Sequence, residues 1–564
     1  MSRFWLFAFV LMSSGAMAQQ APGTVPSPGE RDFIRDRQQQ LLEEQRQRLE
    51  DLKQLPGPTP DLPKAPESDA QCFEIRTIEL QGATLIPQPD RDAILARFEG
   101  QCLGSNQLNN VLKAVTRFYL DRGYVTSRAY LPQQDLSSEV LKVLVVEGAL
   151  EGLDSSDIAS DRELYMAYPG RTGAPVNLRE LEQMVDQLNR LPSRQAALEL
   201  LPGEDVGGSR VRLEGSRSKP WRVSASRHND GERSTGEQQW GIGLDWDSPL
   251  GLGDQFGLRG GGDAVSDHYR HSANQGLFYS LPYGWWTFNY SYNQSYYRTL
   301  GESNGFNFEM DGESKRHQLS AERVVHRDDV SKTALNAGLA HIRTRNYIEN
   351  SLLQGSSVRI SEFQLGVNHG RRVGAAFLNA DLGWQRGIGA LDAQGEHSPQ
   401  PGEPVARYNK YTLTLSYLQP FEWWGESFTF DSLASGQKSE DVLYSPQRTS
   451  VGGLYSVRGF KDQTLSGDTG GYWRNQLRWR RPITWAPLAT LAQEYSVAYA
   501  HDIGVIRGGR YNPQMHGRLR GHGVELSLRG THGAASVTFA HALEQPSVLT
   551  ERESPVYFRL DLFF

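Results

Sequence analysis

The 564-residue chain has no apolar run of the ~18–20 residues that a transmembrane helix needs, which excludes a helical membrane protein. It has no basic surplus either, because 66 Asp and Glu outnumber 59 Lys and Arg, and this argues against a general nucleic-acid-binding protein. Hydrophobic residues make up only 38% of the sequence, while 57 glycines and 10% aromatic residues are present. This balance favours a β-rich chain with many turns over a large soluble enzyme, and the length predicts more than one domain.

Several motifs that would carry catalysis are absent from the sequence. There is no G-x-x-x-x-G-K-[ST] nucleotide loop, no H-E-x-x-H zinc motif and no C-x-x-C redox pair. The glycine-rich stretch 260–263 lacks the lysine of a phosphate loop, so glycines of a crowded strand are the better interpretation. We interpret the paired acids Asp328-Asp329 as a solvated turn. We expect no catalytic residue, no cofactor and no metal.

The N-terminus has the organisation of a secretory signal. Arg3 precedes an apolar stretch over residues 4–12, and Ala16-Met17-Ala18 follows as a small-x-small cleavage site. We predict that residues 1–18 form a signal peptide and that the mature chain begins at Gln19 and is exported. A buried N-terminal helix is the alternative interpretation.

Cys72 and Cys102 are the only two cysteines of the chain. In an exported protein, one pair predicts one disulfide, which would close a loop of about 30 residues. Such a loop would stabilise its domain by roughly 2–4 kcal/mol.

A strongly polar helix is predicted within residues 19–55. The segment from Glu30 to Gln54 contains no glycine or proline and is rich in good helix formers. Its apolar positions are too few for an ordinary core, so it lies in solvent, pairs weakly as a coiled coil, or occupies a water-lined cavity. At 1.5 Å per residue it would be roughly 35 Å long, close to a bilayer thickness. Five prolines then make residues 56–71 an extended linker.

Residues 72–148 and 149–216 are predicted to form two small α/β modules. The first is predicted to contain strands at 73–80, 125–131 and 139–147, and helices at 88–98 and 106–122. The second repeats the plan, with a helix capped by Asn177 and extending to Asn189, followed by strands at 195–200 and 209–213. The open sheet edges of these modules could bind an extended peptide as an added strand, and the alternative is that the modules are spacer domains.

The remaining residues, 217–564, show the pattern of a transmembrane β-barrel. Short alternating segments recur about every 21 residues, and short connections alternate with long ones near 297–313, 388–405 and 438–470. We count sixteen candidate strands: near 221–229, 236–246, 253–262, 270–281, 285–296, 314–325, 332–345, 358–370, 374–387, 406–419, 425–437, 471–481, 492–502, 519–530, 533–543 and 555–564.

The C-terminus carries the sharpest local signal for a lipid-facing strand. Apolar side chains, including a terminal aromatic residue, share one face: Val556, Phe558, Leu560, Leu562 and Phe564. The other face contains Tyr557, Arg559, Asp561 and Phe563. This alternation predicts an apolar surface towards lipid and a polar surface towards a lumen, although a soluble sandwich strand could show a similar pattern.

In this order, the features resemble the outer-membrane transporters of two-partner secretion, of the hemolysin-activator and filamentous-hemagglutinin transporter type. Stretches that look like family motifs lie at 177–182 with 188–193, at 247–255 and at 457–460. The resemblance implies a mainly β chain, with a 16-stranded antiparallel transmembrane β-barrel preceded by an N-terminal plug helix and two α/β POTRA domains. POTRA 1 would be residues 72–148, POTRA 2 residues 149–216 and the barrel residues 217–564.

The stretch Val457-Arg458-Gly459-Phe460 is similar to the signature of the wider superfamily. There, the sixth extracellular loop folds back into the lumen, and its arginine pairs with an aspartate of the inner wall. The corresponding wall stretch here contains Asp502, with Ala500 where the family has an aromatic residue. The resemblance therefore implies a loop 6 anchor made of Val457, Arg458, Gly459, Phe460, Asp502 and Gly504. Arginine suits this role because its planar fork binds a carboxylate with two hydrogen bonds.

The resemblance implies export of a large partner protein, such as a hemolysin, an adhesin or a contact-dependent growth-inhibition toxin. The POTRA domains would recognise its N-terminal secretion domain in the periplasm, and the polar helix would leave the lumen during transport. The barrel would sit in outer-membrane lipid of a Gram-negative bacterium after insertion by the barrel-assembly machinery. Energy would come from folding of the cargo outside the cell.

Three alternatives remain open from the sequence. One is a barrel insertase of the same superfamily, although such proteins usually carry more POTRA domains and lack the N-terminal helix. Another is an outer-membrane enzyme, although its histidines, such as His271, His317, His326 and His341, are scattered and are interpreted as lumen or loop residues. The third is a passive porin or adhesin, against which the two periplasmic modules argue.

Overall fold

The computed structural model describes residues 28–55 and 72–564, except residues 156, 266, 304, 396–401, 490 and 510–512. The predicted signal peptide at 1–18 and the proline-rich linker at 56–71 lie outside the described residues. In the described ranges, no helix combines the length and the apolar character needed to cross a membrane.

The described chain begins with helix α1, Pro28–Leu52, where the polar helix was predicted. Four of its apolar side chains are buried, namely Phe33, Ile34, Leu49 and Leu52. Polar Gln45 is buried as well, with 2% of its surface exposed. A helix that buries both kinds of side chain needs polar partners, and the barrel lumen supplies them.

The first α/β module follows the predicted plan, but its strands are shorter. Its elements are β1 Cys72–Ile75, β2 Thr77–Gln81, α2 Gln88–Leu95, β3 Gln101–Gly104, α3 Ser105–Asp121, β4 Arg128–Tyr130 and β5 Val140–Val146. The single strand predicted at 73–80 is divided at Arg76, because β1 pairs with β3 whereas β2 pairs with β5. The prediction missed β3. A disulfide joins Cys72 of β1 to Cys102 of β3, with a Cα–Cα distance of 5.3 Å.

The second module contains one strand and one helix that the sequence analysis missed. Its elements are β6 Ala149–Asp154, α4 Asp161–Ala167, α5 Leu178–Asn189, β7 Arg194–Pro202 and β8 Gly208–Arg217. The sheet order is β6-β8-β7. Asn177 caps α5 through the backbone N–H of Arg179. Leu181 and Leu188 of this helix are fully buried, as expected for core positions.

Within the described residues, sixteen antiparallel strands form a closed barrel in which the last strand pairs with the first. They are β9 Trp221–His228, β10 Gln239–Asp247, β11 Gln255–Asp263, β12 His271–Tyr283, β13 Trp286–Ser303, β14 Phe306–Arg327, β15 Ser331–Ile348, β17 Val358–Val373, β18 Ala376–Ile388, β19 Asn409–Trp423, β20 Glu426–Lys438, β23 Gly470–Pro482, β24 Glu494–Ile506, β25 Gly517–Arg529, β26 Gly533–Glu544 and β27 Val556–Phe563. Short elements lie in the connections: β16 Ser351–Leu352, β21 Thr449–Val451, β22 Leu465–Gly467 and the helical turn α6 Ala486–Ala489. The predicted fold class is confirmed.

One connection differs from its prediction. Residues 297–313 were expected to form a long loop, yet most of them extend β13 and β14 into a long hairpin. The sequence analysis passed over a G-x-S-x-G pattern at residues 301–305, in which Gly301 and Ser303 belong to the end of β13 and Gly305 to the turn that precedes β14. A nucleophile elbow needs a strand-to-helix turn, so this position does not fit one.

The outer face of the closing strand β27 is largely apolar. Leu560 and Leu562 are exposed there, and Phe558 is half-buried. Phe564 follows the strand, and its backbone exchanges hydrogen bonds of 2.9 and 3.1 Å with Val223 of β9. Tyr557 on the inner face is buried. The C-terminal residues thus close the wall and present apolar side chains outwards.

Candidate functional site: the lumen, loop 6 and the periplasmic mouth

Loop 6 (residues 439–469), which connects β20 to β23, packs inside the barrel. Its small hairpin β21–β22 and the residues between these strands form a buried apolar cluster with the wall. Val457 and Phe460 are fully buried in it, against Leu519 of β25 and Ala542 of β26. Because the loop buries its own apolar residues against the wall, its position is set by packing as well as by polar contacts.

Arg458 forms a buried ion pair with Asp502 of β24. Its Nε and Nη2 donate to the two carboxylate oxygens at 2.7 and 2.9 Å, and its backbone N–H donates to the same carboxylate at 3.0 Å. Its remaining guanidinium nitrogen, Nη1, donates to Gln476 of β23 at 2.7 Å. Arg458 is 3% exposed and Asp502 is fully buried. The sequence analysis named both residues of the pair but missed Gln476.

Three glycines allow the loop to lie directly on the wall. Gly459 has a φ of +104°, and a Cβ there would come within 2.6 Å of the His541 carbonyl group. A Cβ on Gly504 would lie 2.7 Å from Val457, and one on Gly521 would lie 1.7 Å from the Arg458 carbonyl oxygen. Gly459 and Gly504 were named from the sequence, and Gly521 was missed. Its signal was present, since a glycine inside a strand often marks a close backbone approach.

Glu553 binds the backbone of loop 6. This residue of the β26–β27 connection accepts hydrogen bonds from the backbone N–H groups of Lys461, Asp462 and Gln463. The Tyr557 hydroxyl of β27 donates to the Phe460 carbonyl at 3.3 Å. Nothing in the local sequence marks Glu553, because its partners are about 90 residues away.

Helix α1 lies in the lumen and is hydrogen-bonded to loop 6. Arg37 donates to the carbonyl oxygens of Pro446 and Arg448, each at 3.2 Å. Gln38 donates to the Ser450 carbonyl at 2.8 Å. The helix and the loop are therefore joined by hydrogen bonds inside the barrel.

Further polar contacts of α1 are with the barrel wall. The buried Gln45 amide donates to Asp381 of β18 at 2.7 Å and accepts from Asn379 and Ser416 at 3.1 and 2.9 Å. Arg48 donates to Glu322 of β14 at 3.0 Å. Of the three environments that the sequence left open for this helix, the polar cavity is the one observed.

The family-like stretches 188–193 and 247–255 meet where the second module joins the barrel. Arg190, just after α5, donates to the Gly253 carbonyl in the β10–β11 turn at 2.7 Å, and Asp247 accepts from the Ser193 backbone N–H at 2.9 Å. Glu163 of α4 is bonded to Arg194 and to the Ser248 hydroxyl of the turn. The sequence analysis found both stretches but not their contact.

Two acids of the second module have lowered pKa values at this junction. Burial alone would raise the pKa of Glu163, but hydrogen bonds from Arg194 and Ser248 lower it to about 2. Burial is likewise outweighed at Asp186, whose pKa is lowered by Lys332 and Arg327 of the barrel. Asp329, predicted to be a solvated turn residue, instead forms an ion pair with Arg179 of α5 at 2.6 Å.

No group of three or more His, Cys, Asp or Glu side chains that could hold a metal ion occurs in the part of the chain described here. Two of the four histidines that were predicted to be lumen or loop residues lie on the outer face of the barrel. His317 and His341 lie opposite each other on β14 and β15 and point away from the lumen.

Comparison with known proteins assigns this arrangement. A family model described as haemolysin secretion/activation protein ShlB/FhaC/HecB matches residues 207–528, more than half of the chain. The chain belongs to this family. Models of a ShlB-type POTRA domain and of a POTRA domain match residues 73–148 and 149–202.

Individual relatives agree with the family model. The outer membrane transporter CdiB of Dickeya dadantii (strain 3937) is 34% identical over 541 residues, 95% of either chain. The hemolysin transporter protein ShlB of Serratia marcescens is 32% identical over 439 residues, 78% of this chain and 77% of ShlB. The solved structure of CdiB from Escherichia coli superposes with a TM-score of 0.89 at 33% identity, over 95% of this chain and 99% of that one.

As a member of the ShlB/FhaC/HecB family, the chain is an outer-membrane transporter of two-partner secretion with its POTRA domains in the periplasm. The family resemblance, the function and the location expected from the sequence are confirmed. This orientation places the POTRA 2 junction at the periplasmic mouth and loop 6 on the extracellular side. Helix α1 therefore extends from the extracellular side, near Tyr297, to the periplasmic side, near Phe377.

Proposed function

We propose that the transporter exports one large partner protein, a hemolysin, an adhesin or a contact-dependent growth-inhibition toxin, and that α1 with loop 6 closes the lumen until the cargo arrives. One observation carries the proposal. The helix is held along the lumen by polar side chains, and its apolar cluster with the wall, Leu49 and Leu52 against Phe377 and Leu418, is confined to its periplasmic end. Polar contacts can be exchanged for water or for the polar backbone of an extended chain at little net cost, so the closed state is reversible.

The roles of the site residues follow from their contacts. The Arg458–Asp502 pair, with Val457, Gly459, Phe460 and Gly504, acts as the loop 6 anchor. Residues 28–55 act as the plug, which is joined to POTRA 1 through the linker at 56–71. Cargo would bind the POTRA domains at residues 72–148 and 149–216 as an extended chain, using an exposed sheet edge.

In this proposal the protein is a conduit and not an enzyme, and it needs no cofactor. Residues 1–18 direct export and are removed, the barrel-assembly machinery inserts residues 217–564, and outer-membrane lipid surrounds them. The exposed apolar side chains of the C-terminal strand, Leu560 and Leu562, support contact with lipid.

The experiment measures partner secretion and pore closure separately. Cells expressing the transporter and its cognate secreted protein are assayed for that protein in the medium. Reconstituted barrels with and without residues 30–54 are assayed for ion conductance. We expect secretion to need the full chain and conductance to rise on deletion. Equal conductance of both barrels would remove the plug assignment, and undiminished secretion without the transporter would remove the export function.

A further inference from the structure

A row of polar side chains crosses the outer, lipid-facing surface of the barrel. Residues directly opposite each other on neighbouring antiparallel strands point to the same face. Successive pairings connect five such residues in one row, and they are Ser432, Asn475, His501, His522 and His541. Their chain neighbours point inwards, since Asp502 and Gly521 contact loop 6 inside the barrel. The row therefore faces away from the lumen.

The row is built by specific hydrogen bonds at both of its ends. The indole N–H of Trp473 donates to the Ser432 hydroxyl at 2.8 Å, and this hydroxyl donates to Asn475 at 2.9 Å. At the other end, His541 and the Ser554 hydroxyl are 2.6 Å apart. The rings of His522 and His541 have centroids 5.9 Å apart. These contacts order the row as one polar surface.

Two arginines extend the row towards the extracellular side. Arg518 and Arg520 follow on the outward face of β25, and both interact with a single acid, Glu544, at 2.7 and 3.7 Å. Arg520 also reaches the His501 ring at 3.4 Å, while its Nε is buried without a hydrogen-bond partner among the described residues. Two cations against one carboxylate leave a net positive charge beside donor side chains.

The height of the row on the wall identifies its environment. On β25 the apolar outward residues between the periplasmic end and the row are Leu528, Leu526 and Val524. Six residues at ~3.3 Å, tilted by about 40°, correspond to roughly 15 Å of membrane depth. The apolar band of such barrels is ~25 Å tall. The row thus begins about 10 Å below the extracellular limit of a normal band, where uncompensated polar groups are costly.

We propose that this surface, made of His501, His522, His541, Arg518 and Arg520, binds the phosphate groups of the glycolipid in the outer leaflet, the lipid A part of lipopolysaccharide. Arginine binds phosphate oxygens with two hydrogen bonds, and histidine N–H groups add further donors. A phosphate that descends to this depth satisfies the row and thins the bilayer locally. The cargo-exporting function of the lumen does not depend on this site, although both share strands β24–β26.

Native mass spectrometry of the full-length protein in detergent tests the proposal by measuring lipid binding. The probes are bisphosphorylated lipid A and the same lipid A stripped of both phosphates. The variants are Arg518→Gln/Arg520→Gln and His522→Gln/His541→Gln. The matched control is His369→Gln, because His369 also faces outwards but lies four residues from the periplasmic end of β17. Heat-dependent gel mobility checks that each barrel is folded.

We expect wild type and His369→Gln to bind bisphosphorylated lipid A about tenfold more tightly than either double variant, and the stripped lipid equally weakly in all proteins. Equal binding of the two lipids by wild type overturns the proposal even if a variant fails to fold. Equal affinity of wild type and both folded double variants overturns it as well. A wild-type dimer that both variants disrupt would instead show that a second copy of the chain covers the row.

Discussion

The α-carbon of Gly521 on β25 lies directly beneath the carbonyl oxygen of Arg458, so closely that a Cβ on Gly521 would lie 1.7 Å from this oxygen. The opposing contact is backbone and cannot rotate away, so the absence of a side chain is a requirement of loop 6 docking. The wall and the loop are therefore matched at the level of single atoms around the Arg458–Asp502 pair.

Gly521→Ala should displace loop 6 without preventing barrel closure, because only the inward face of β25 changes. We expect secretion of the partner protein to fall by about tenfold or more and loop 6 to become accessible to protease. Gly260→Ala on β11 is the matched control, since a Cβ there would come no closer than 3.8 Å to Ile242. Protease resistance of loop 6 equal to wild type in Gly521→Ala would contradict this prediction.

Arg458→Ala and Asp502→Ala should each lower secretion while the barrel still inserts. Removing one partner leaves the other charge buried and unpaired, which typically costs ~3–5 kcal/mol. The double variant should be less impaired than the sum of the two single variants, because no unpaired charge remains. Secreted partner in the medium is measured together with heat-dependent gel mobility. Normal secretion in both single variants would refute the anchor role.

Arg37→Ala/Gln38→Ala should weaken the attachment of the plug to loop 6. These side chains make the three hydrogen bonds to the carbonyl groups of Pro446, Arg448 and Ser450. Loss of about 1 kcal/mol per bond should raise the frequency of open events in single-channel recordings by tenfold or more. Gln47→Ala on the exposed face of α1 serves as the control and should behave as wild type. Identical opening frequencies in all three proteins would contradict the closure mechanism.

Acid should weaken the POTRA 2 domain through Glu163. Its pKa is lowered from 4.5 to about 2 in the folded protein, so its carboxylate stabilises the fold fully above pH 4.5, and this contribution is lost as the pH falls to about 2. The difference corresponds to about 3 kcal/mol. Protease cleavage monitors unfolding of the POTRA region between pH 7 and pH 2.5, and we expect the free energy of unfolding to decrease over this range. Glu163→Gln should flatten the pH dependence, whereas Glu214→Gln, at an exposed position, should retain it.

Cys72→Ser/Cys102→Ser should destabilise POTRA 1 by roughly 2–4 kcal/mol, because the open chain gains entropy in the unfolded state. The barrel should be unaffected, since both cysteines lie in β1 and β3 of the first module. Proteolysis at increasing temperature, read out separately for residues 72–148 and for the barrel, is the measurement. Cleavage of both regions at the same temperature would contradict this prediction, because it would show that POTRA 1 and the barrel unfold as one unit.

The sixteen strands were predictable because each alternates polar and apolar residues with a period of two, and this pattern is local. The short elements β3, β6 and α4 were missed because segments of four to seven residues carry too little periodicity to be recognised. The extension of the β13–β14 hairpin was interpreted as a loop although Phe306, Phe308 and Met310 alternate there with Asn307, Glu309 and Asp311. Pairing between residues 296–303 and 306–313 keeps both segments extended.

The residues of the candidate site likewise divide into those that the sequence could predict and those that it could not. Arg458 and Asp502 could be named because a resemblance joined two short stretches, whereas Gln476, Gly521 and Glu553 carry no motif of their own. The contact between Arg190 and Gly253 could not be predicted, because each residue belongs to a different domain.

By itself, the amino-acid sequence determined the helix-forming polar segment and a barrel with an apolar outside, since these follow from composition and periodicity along the chain; the export signal at residues 1–18 stays a prediction. Only the tertiary structure showed which wall residues hold the polar helix, that Gly459, Gly504 and Gly521 allow loop 6 to lie directly on the wall, and that three histidines align on the lipid side. Barrel closure sets the strand register, and register alone determines which distant side chains stand opposite one another.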